Sequence, residues 1–119
     1  MRFAGVTGDF NPVHVDEVFA REEGLFGRRV VHGPMLLAMC FGMRSERDEW
    51  KILALLETRR RFLAPVFPGD TVHARFEVTE VRVSESRPAT GIVTVAVEVV
   101  GERDEVVQEG VDVLVVADS

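Results

Sequence analysis

Beyond residue 50, apolar and polar positions alternate over four valine-rich stretches: Lys51 to Phe62, Thr71 to Val83, Thr90 to Val100 and Val106 to Val116. A period of two predicts strands. Val72, Ala74, Phe76 and Val78 fall on one face of the second stretch, and Val93, Val95, Val97 and Val99 on one face of the third. Connectors as short as Gly101-Glu102-Arg103-Asp104-Glu105 leave no room for a parallel crossover, so the strands are expected to pair antiparallel. Gly110, inside the last stretch, predicts a bulge. Ahead of the strands the period is helical. Val15, Val18 and Phe19, with charged residues between them, predict a short helix from Pro12 to a stop at Gly24, with Asp16 and Glu17 near its positive end. A second helix opens at Gly33-Pro34 and is apolar on every side from Met35 to Met43 before turning polar at Arg44-Ser45-Glu46-Arg47. A helix with no polar face has to be surrounded. Helices set against an antiparallel sheet make an α+β class, which is as far as periodicity reaches.

Composition narrows the class of function. At 119 residues the chain reads as one domain, 1–119, and 46% hydrophobic with 29% charged residues is ordinary globular composition. A net charge of −6 argues against a nucleic-acid or anionic-membrane surface, because both need a basic field. Cys40 is the single cysteine, so no internal disulfide is possible, and a lone thiol in apolar helical company is expected to be inert. The N-terminus has no apolar signal core, and the apolar run from Met35 to Met43 falls far short of the ~20 residues of a membrane span. A cytoplasmic protein, neither secreted nor anchored, is the expectation.

Chemistry concentrates in Thr7-Gly8-Asp9-Phe10-Asn11-Pro12-Val13-His14. Gly8 and Asp9 favour a turn, Asn11 is a good N-cap, and Pro12 at the first helical position has no N–H to lose. His14 then lies in the first helical turn, where it can converge with Asp9 across the reversal. At neutral pH a carboxylate and a neutral imidazole are both base-competent, so the pair can hold and activate one water; the same residues also suit any loop that enters a helix. The opening at Gly33-Pro34 offers an unpaired backbone N–H and a partial positive charge, fit for an oxyanion, or simply a turn into a buried helix. His32 can orient that turn as a hydrogen-bonding residue. His73 shares a face with Thr71, Arg75 and Glu77 and is expected to face solvent. The three histidines are far apart in sequence and Cys40 has no partner, so no metal site is expected, and no Gly-rich phosphate loop or Gly-x-Ser-x-Gly elbow is present.

The stretch from Phe3 to Asp16 resembles the signature of the MaoC-like (R)-specific enoyl-CoA hydratases: an aromatic, a short apolar-small spacer, then Ser/Thr-Gly-Asp-x-Asn-Pro-aliphatic-His-x-Asp. The similarity continues through the Ala20 region, Val31-His32-Gly33 and Pro65-Val66-Phe67-Pro68-Gly69-Asp70, covering most of the chain. It implies a hot-dog fold, a curved antiparallel sheet wrapped around one buried helix. It implies a hydro-lyase that adds water across the Cα=Cβ bond of a 2-enoyl thioester to give the (R)-3-hydroxyacyl product, or catalyses the reverse dehydration. By the same resemblance Asp9 and His14 are the catalytic pair, the Gly33 N–H binds the thioester oxygen, and Asn11 and His32 support them. Pro34 departs from the Met common after that glycine. No cofactor is implied beyond coenzyme A or an acyl carrier as the handle of the substrate, and a homodimer is implied as the assembly. Arg28-Arg29 and Arg59-Arg60-Arg61 can reach coenzyme A phosphates, although charged residues on a strand more often guard an edge. The family carries a first strand ahead of the aromatic matched by Phe3, so a smaller sheet with an exposed edge is expected here. A hot-dog thioesterase, or a silent subunit that binds acyl thioesters, are the competing readings.

Overall fold

The structure, a computed structural model, describes residues 1–117. Five short helical segments precede four long strands: α1 (Arg2–Thr7), α2 (Pro12–Val15), α3 (Glu17–Glu23), α4 (Gly33–Gly42), a 3₁₀ turn (Glu46–Glu49), then β1 (Ile52–Phe62), β2 (His73–Val83), β3 (Thr90–Val100) and β4 (Val106–Ala117). The strands form one sheet in the order β1-β4-β3-β2, every neighbouring pair antiparallel.

The α4 helix lies across one face of this sheet. Leu36 and Cys40 of α4 pack with Val93, Val95, Val97, Val99, Val107 and Leu114, and the partly buried Val72, Ala74 and Phe76 extend the core toward β2. Each fully buried side chain of this size contributes ~1.5–3 kcal/mol, so the alternating valines of β3 are the main anchor of the helix. The other side of α4 is uncovered: Met39 and Phe41 are exposed. An all-round apolar helix is therefore enclosed by its own chain on one side only.

Two expectations change. The helix expected from Pro12 to Gly24 is two helices, because Asp16 takes an extended conformation (φ −122°, ψ 102°) and its carboxylate accepts the Phe19 N–H at 3.1 Å. A short acidic side chain that bonds its own backbone competes with helix continuation and restarts it. Gly110 is in register with Arg60 on β1 and Val97 on β3, and marks no bulge; the β1 irregularities lie between Ile52 and Glu57. A Cβ at Gly110 would instead collide with the Arg59 carbonyl, so the glycine is there for close backbone approach.

Candidate active site

The turn at residues 7–14 is held by its own side chains. Gly8 ends α1 in the left-handed region (φ 79°), which glycine adopts without strain, and donates its N–H to the Ala4 carbonyl at 2.8 Å. The Thr7 hydroxyl donates to the Phe3 carbonyl at 2.8 Å and accepts the Asp9 N–H at 3.2 Å. Asp9 Oδ1 accepts the Asn11 N–H and Asn11 Oδ1 accepts the Val13 N–H, both at 3.2 Å. Asn11 thus caps α2 as expected, with Pro12 in its first turn. One carboxylate oxygen of Asp9 serves the turn; Oδ2 lies 4.0 Å from His32 Nε2.

The imidazole tautomers follow from backbone partners. His14 Nδ1 lies 2.8 Å from the Val30 carbonyl. A carbonyl only accepts, so Nδ1 carries the hydrogen and Nε2 of the neutral ring is left as a free lone pair. His32, which is buried, likewise donates from Nε2 to the Asp9 carbonyl at 3.0 Å. The two rings stack at 4.0 Å, and Phe3 closes the other side of His32 at 5.1 Å. The Val30 carbonyl is itself placed by its strand-like segment: Val30 N–H donates to Val13 at 3.0 Å and Val31 N–H to Val66 at 2.7 Å.

Asp9 and His14, from one turn, and His32, 18 residues further on, thus each offer one ligand atom within 4.8 Å of the others. The separation of the histidines along the chain was no guide to their separation in space. These three can hold one water; a divalent ion would have to compete with the Asp9 carbonyl for His32 or take its other nitrogen.

One residue on, Gly33 opens α4; Pro34 has no N–H and Met35 donates to the His32 carbonyl at 3.1 Å, so the Gly33 N–H is the one left without an acceptor in the helix. A Cβ at Gly33 would sit 2.9 Å from the Phe62 ring of β1, so a larger residue here would have to displace that ring. Gln108 of β4 donates from Nε2 to the Gly33 carbonyl at 2.9 Å. Beside these groups lies a cavity of about 290 Å³, lined by His14, His32, Met35, Met39, Val66 and Val72 among others.

The arginines separate. Arg29 lines that cavity and pairs with Glu17 at 3.0 Å, while the Arg28 guanidinium stacks on the Phe67 ring at 4.4 Å. The Arg29 guanidinium beside Glu17 holds its carboxyl below the ordinary value. Arg59 and Arg61 point to the sheet face away from α4, pair with Glu57 (2.8 Å) and Glu109 (3.8 Å), and border a depression of about 1100 Å³ that contains none of the residues above. This larger space is the outer surface of the sheet; the smaller cavity is the one that His14 and His32 line, with Asp9 and Gly33 outside its lining. Arg60 is buried and forms a two-pronged pair with Asp112 (2.9 and 3.2 Å). His73 faces solvent, and Cys40 is fully buried, where desolvation raises its thiol above the ordinary value. Val30, Phe62 and Gln108 escaped sequence reasoning; only Gln108, a polar residue following two valines at the start of a valine-rich strand, left a visible signal.

An α+β fold with a helix across an antiparallel sheet, and a His–Asp–Gly cluster at that helix's entrance, defines a class. The description "MaoC like domain" fits residues 1–101, and the chain belongs to that family, one of hydratases and dehydratases. It is similar to the (R)-specific enoyl-CoA hydratase of Aeromonas caviae, 37% identical over 92 residues, 77% of this chain and 66% of that protein. It is also similar to the 3-hydroxybutyryl-CoA dehydratase of Methylorubrum extorquens, 34% identical over 108 residues, 91% of this chain and 64% of that protein. The matched stretch thus spans less than two thirds of these relatives' length. Among solved structures, the (R)-hydratase from A. caviae involved in PHA biosynthesis superposes with a TM-score of 0.78 at 32% identity, covering 95% of this chain and 81% of that one. A Mycobacterium tuberculosis protein described as a double hot-dog fold superposes at 0.79 with 20% identity, covering 98% and 36%; at that identity it speaks for the fold alone, which is the hot dog.

Proposed function

We propose that the protein is a hydro-lyase for 2-enoyl thioesters, forming (R)-3-hydroxyacyl thioesters or dehydrating them. The observation that carries this reading is the convergence of Asp9 and His14 within 4.8 Å, with His14 Nδ1 committed to the Val30 carbonyl and its Nε2 left over, next to His32, the residue that precedes the opening of α4. A water held between Asp9 and His14 loses its proton to one of them as its oxygen attacks Cβ. The Gly33 N–H receives the negative charge that develops on the thioester oxygen, and Cα is then protonated from the same face. A positioned base is worth ~10² to 10⁴ in rate and an oxyanion donor ~3–4 kcal/mol, a scale suited to an alkene already activated by its thioester. His32 and Asn11 hold the Asp9 loop in place. Coenzyme A or an acyl carrier is the handle, with Arg29 at the cavity and Arg28 on the Phe67 ring that lines it the groups for its phosphates; Arg59 and Arg61, on the opposite face of the sheet, are not suited to that task within one chain.

A homodimer is the assembly we favour, in the cytoplasm. Among the described residues the outer edge of β1 has no strand partner, and Ile52, Leu53, Leu55, Leu56 and Phe62 along it are exposed, as are Met39 and Phe41 of α4. A second copy would cover a long apolar edge that otherwise invites aggregation. Among the described residues no helix is long and apolar enough to cross a membrane.

The deciding experiment incubates purified protein with a short 2-enoyl-CoA, follows loss of the conjugated double bond, and determines the configuration at C3. An (R)-3-hydroxyacyl product is expected. Release of free coenzyme A with the double bond intact would show a thioesterase instead, and no reaction over several chain lengths would show a silent binding subunit.

A further inference from the structure

Gln108 stands where the neighbouring pattern calls for an apolar residue. It lies on β4 with Phe62 of β1 and Val99 of β3 as its cross-strand partners, is 2% exposed, and follows the fully buried Val107. Its Nε2 donates to the Gly33 carbonyl at 2.9 Å, whereas its Oε1 is buried with no hydrogen-bond partner among the described residues. Leaving an acceptor desolvated and unpaired is a cost that leucine or methionine at this position would avoid. The single bond it does make reaches 75 residues back along the chain, to the first residue of α4.

That residue is the one whose direction matters. Glycine has the widest backbone freedom of any residue, so the aim of the Gly33 N–H is not set by its own geometry. On its N-terminal side the His32 ring is fastened to the Asp9 carbonyl. On its C-terminal side Gln108 holds the Gly33 carbonyl, and the Phe62 ring fills the space where a side chain would be. The Gly33–Pro34 peptide plane is tied to the sheet by Gln108, and the His32–Gly33 plane, which carries the N–H, is held through the His32 carbonyl, which accepts from Met35 N–H at 3.1 Å; with both planes fixed, the direction of the N–H is fixed too.

We propose that Gln108 is a positioning residue that aims the Gly33 N–H at the substrate's thioester oxygen; this rests on the hydratase reading above. An oxyanion donor acts on charge that grows in the transition state, so misaiming it lowers kcat while ground-state binding, carried by the acyl and carrier groups, is little changed.

The test compares the parent protein with Gln108→Met, which keeps the volume and removes the donor. The readouts are kcat and KM for a short 2-enoyl-CoA, and the infrared carbonyl band of a bound unreactive thioester analogue. We expect kcat to fall about 10- to 100-fold with KM within about twofold, since misplacement of a reacting contact by ~1 Å costs ~10²-fold. The carbonyl band should move toward its position in free solution. Gln108→Asn keeps the amide but draws it back by one methylene and carries the same expectation. A folded Gln108→Met with kcat within twofold of the parent and an unmoved band overturns the proposal. Failure of both variants to fold also overturns it, by assigning Gln108 to folding alone. A parent protein that hydrates no enoyl thioester is a separate result, which removes the oxyanion role of Gly33 itself.

Discussion

Asp112 is the strongest single handle on stability. It is fully buried on β4 and balances two arginines: Arg60 grips both its oxygens at 2.9 and 3.2 Å, and Arg47 Nη1 lies 3.5 Å from Oδ2. Thr58 donates to Oδ1 at 2.6 Å. The Arg60 and Arg47 side chains are 1% and 7% exposed, so neither can turn to water. Arg47 is further committed, donating to the Cys40 carbonyl near the end of α4 at 3.2 Å and stacking on Phe76 at 3.8 Å, and burial pushes its guanidinium below the ordinary value. Asp112→Asn keeps the shape and removes the one negative charge, leaving two buried cations facing each other. Removing one partner of a buried pair costs ~3–5 kcal/mol, because the uncompensated charge stays desolvated. With an unfolding entropy of roughly 2.1 cal/mol/K per residue, 119 residues give about 0.25 kcal/mol/K, so the melting midpoint should drop by roughly 12–20 °C. Thermal unfolding followed by far-UV circular dichroism measures this. Glu57→Gln, at the exposed pair with Arg59, is the control and should stay within ~1 kcal/mol. The combined variant Arg47→Met, Asp112→Leu, Arg60→Met should recover much of the loss, since an apolar replacement leaves no charge to strand. A midpoint for Asp112→Asn within about 4 °C of the parent, or ~1 kcal/mol by the same entropy, would refute the reasoning.

Other tests reach the site and the backbone. Asp9→Asn and His14→Ala should each lower hydration turnover by ~10² to 10⁴ without changing the circular dichroism spectrum, and full activity in either would remove the proposed mechanism. Gly110→Ala brings a methyl group against the Arg59 carbonyl and should destabilise by ~1–3 kcal/mol or more through the β1–β4 pairing, read from urea unfolding. Cys40, buried and with its thiol raised by desolvation, should react with a thiol reagent only after denaturant unfolds the chain; rapid labelling of the native protein would contradict its placement. Arg29 lowers the carboxyl of Glu17, so this pair contributes stability above the unfolded carboxyl's titration and loses it as pH falls through the lower folded one. Arg29→Ala should therefore return the Glu17 titration upward by NMR, and added salt should blunt the difference.

Local rules made much of this protein legible from its sequence. The four strands follow from a period of two, and the turn at Asp9, its Asn11 cap and Pro12 entry follow from the bonding habits of short polar side chains, which act over two or three residues and need no tertiary partner. The break at Asp16 is equally local, but its carboxylate can either favour a helix's positive end or start a new helix, and the pattern alone does not choose between them. What pattern could not reach are contacts between residues distant along the chain. His14 and His32 stack, His14 is oriented by the Val30 carbonyl 16 residues away, and the Phe62 contact and Gln108 bond at Gly33 exist only once α4 is seated on the sheet. The run Arg59-Arg60-Arg61 shows the division in three residues. Alternation alone says that Arg60 faces opposite to its neighbours, but only the packed core decides that this side is dry, and a dry arginine has to find Asp112 whereas a wet one does not.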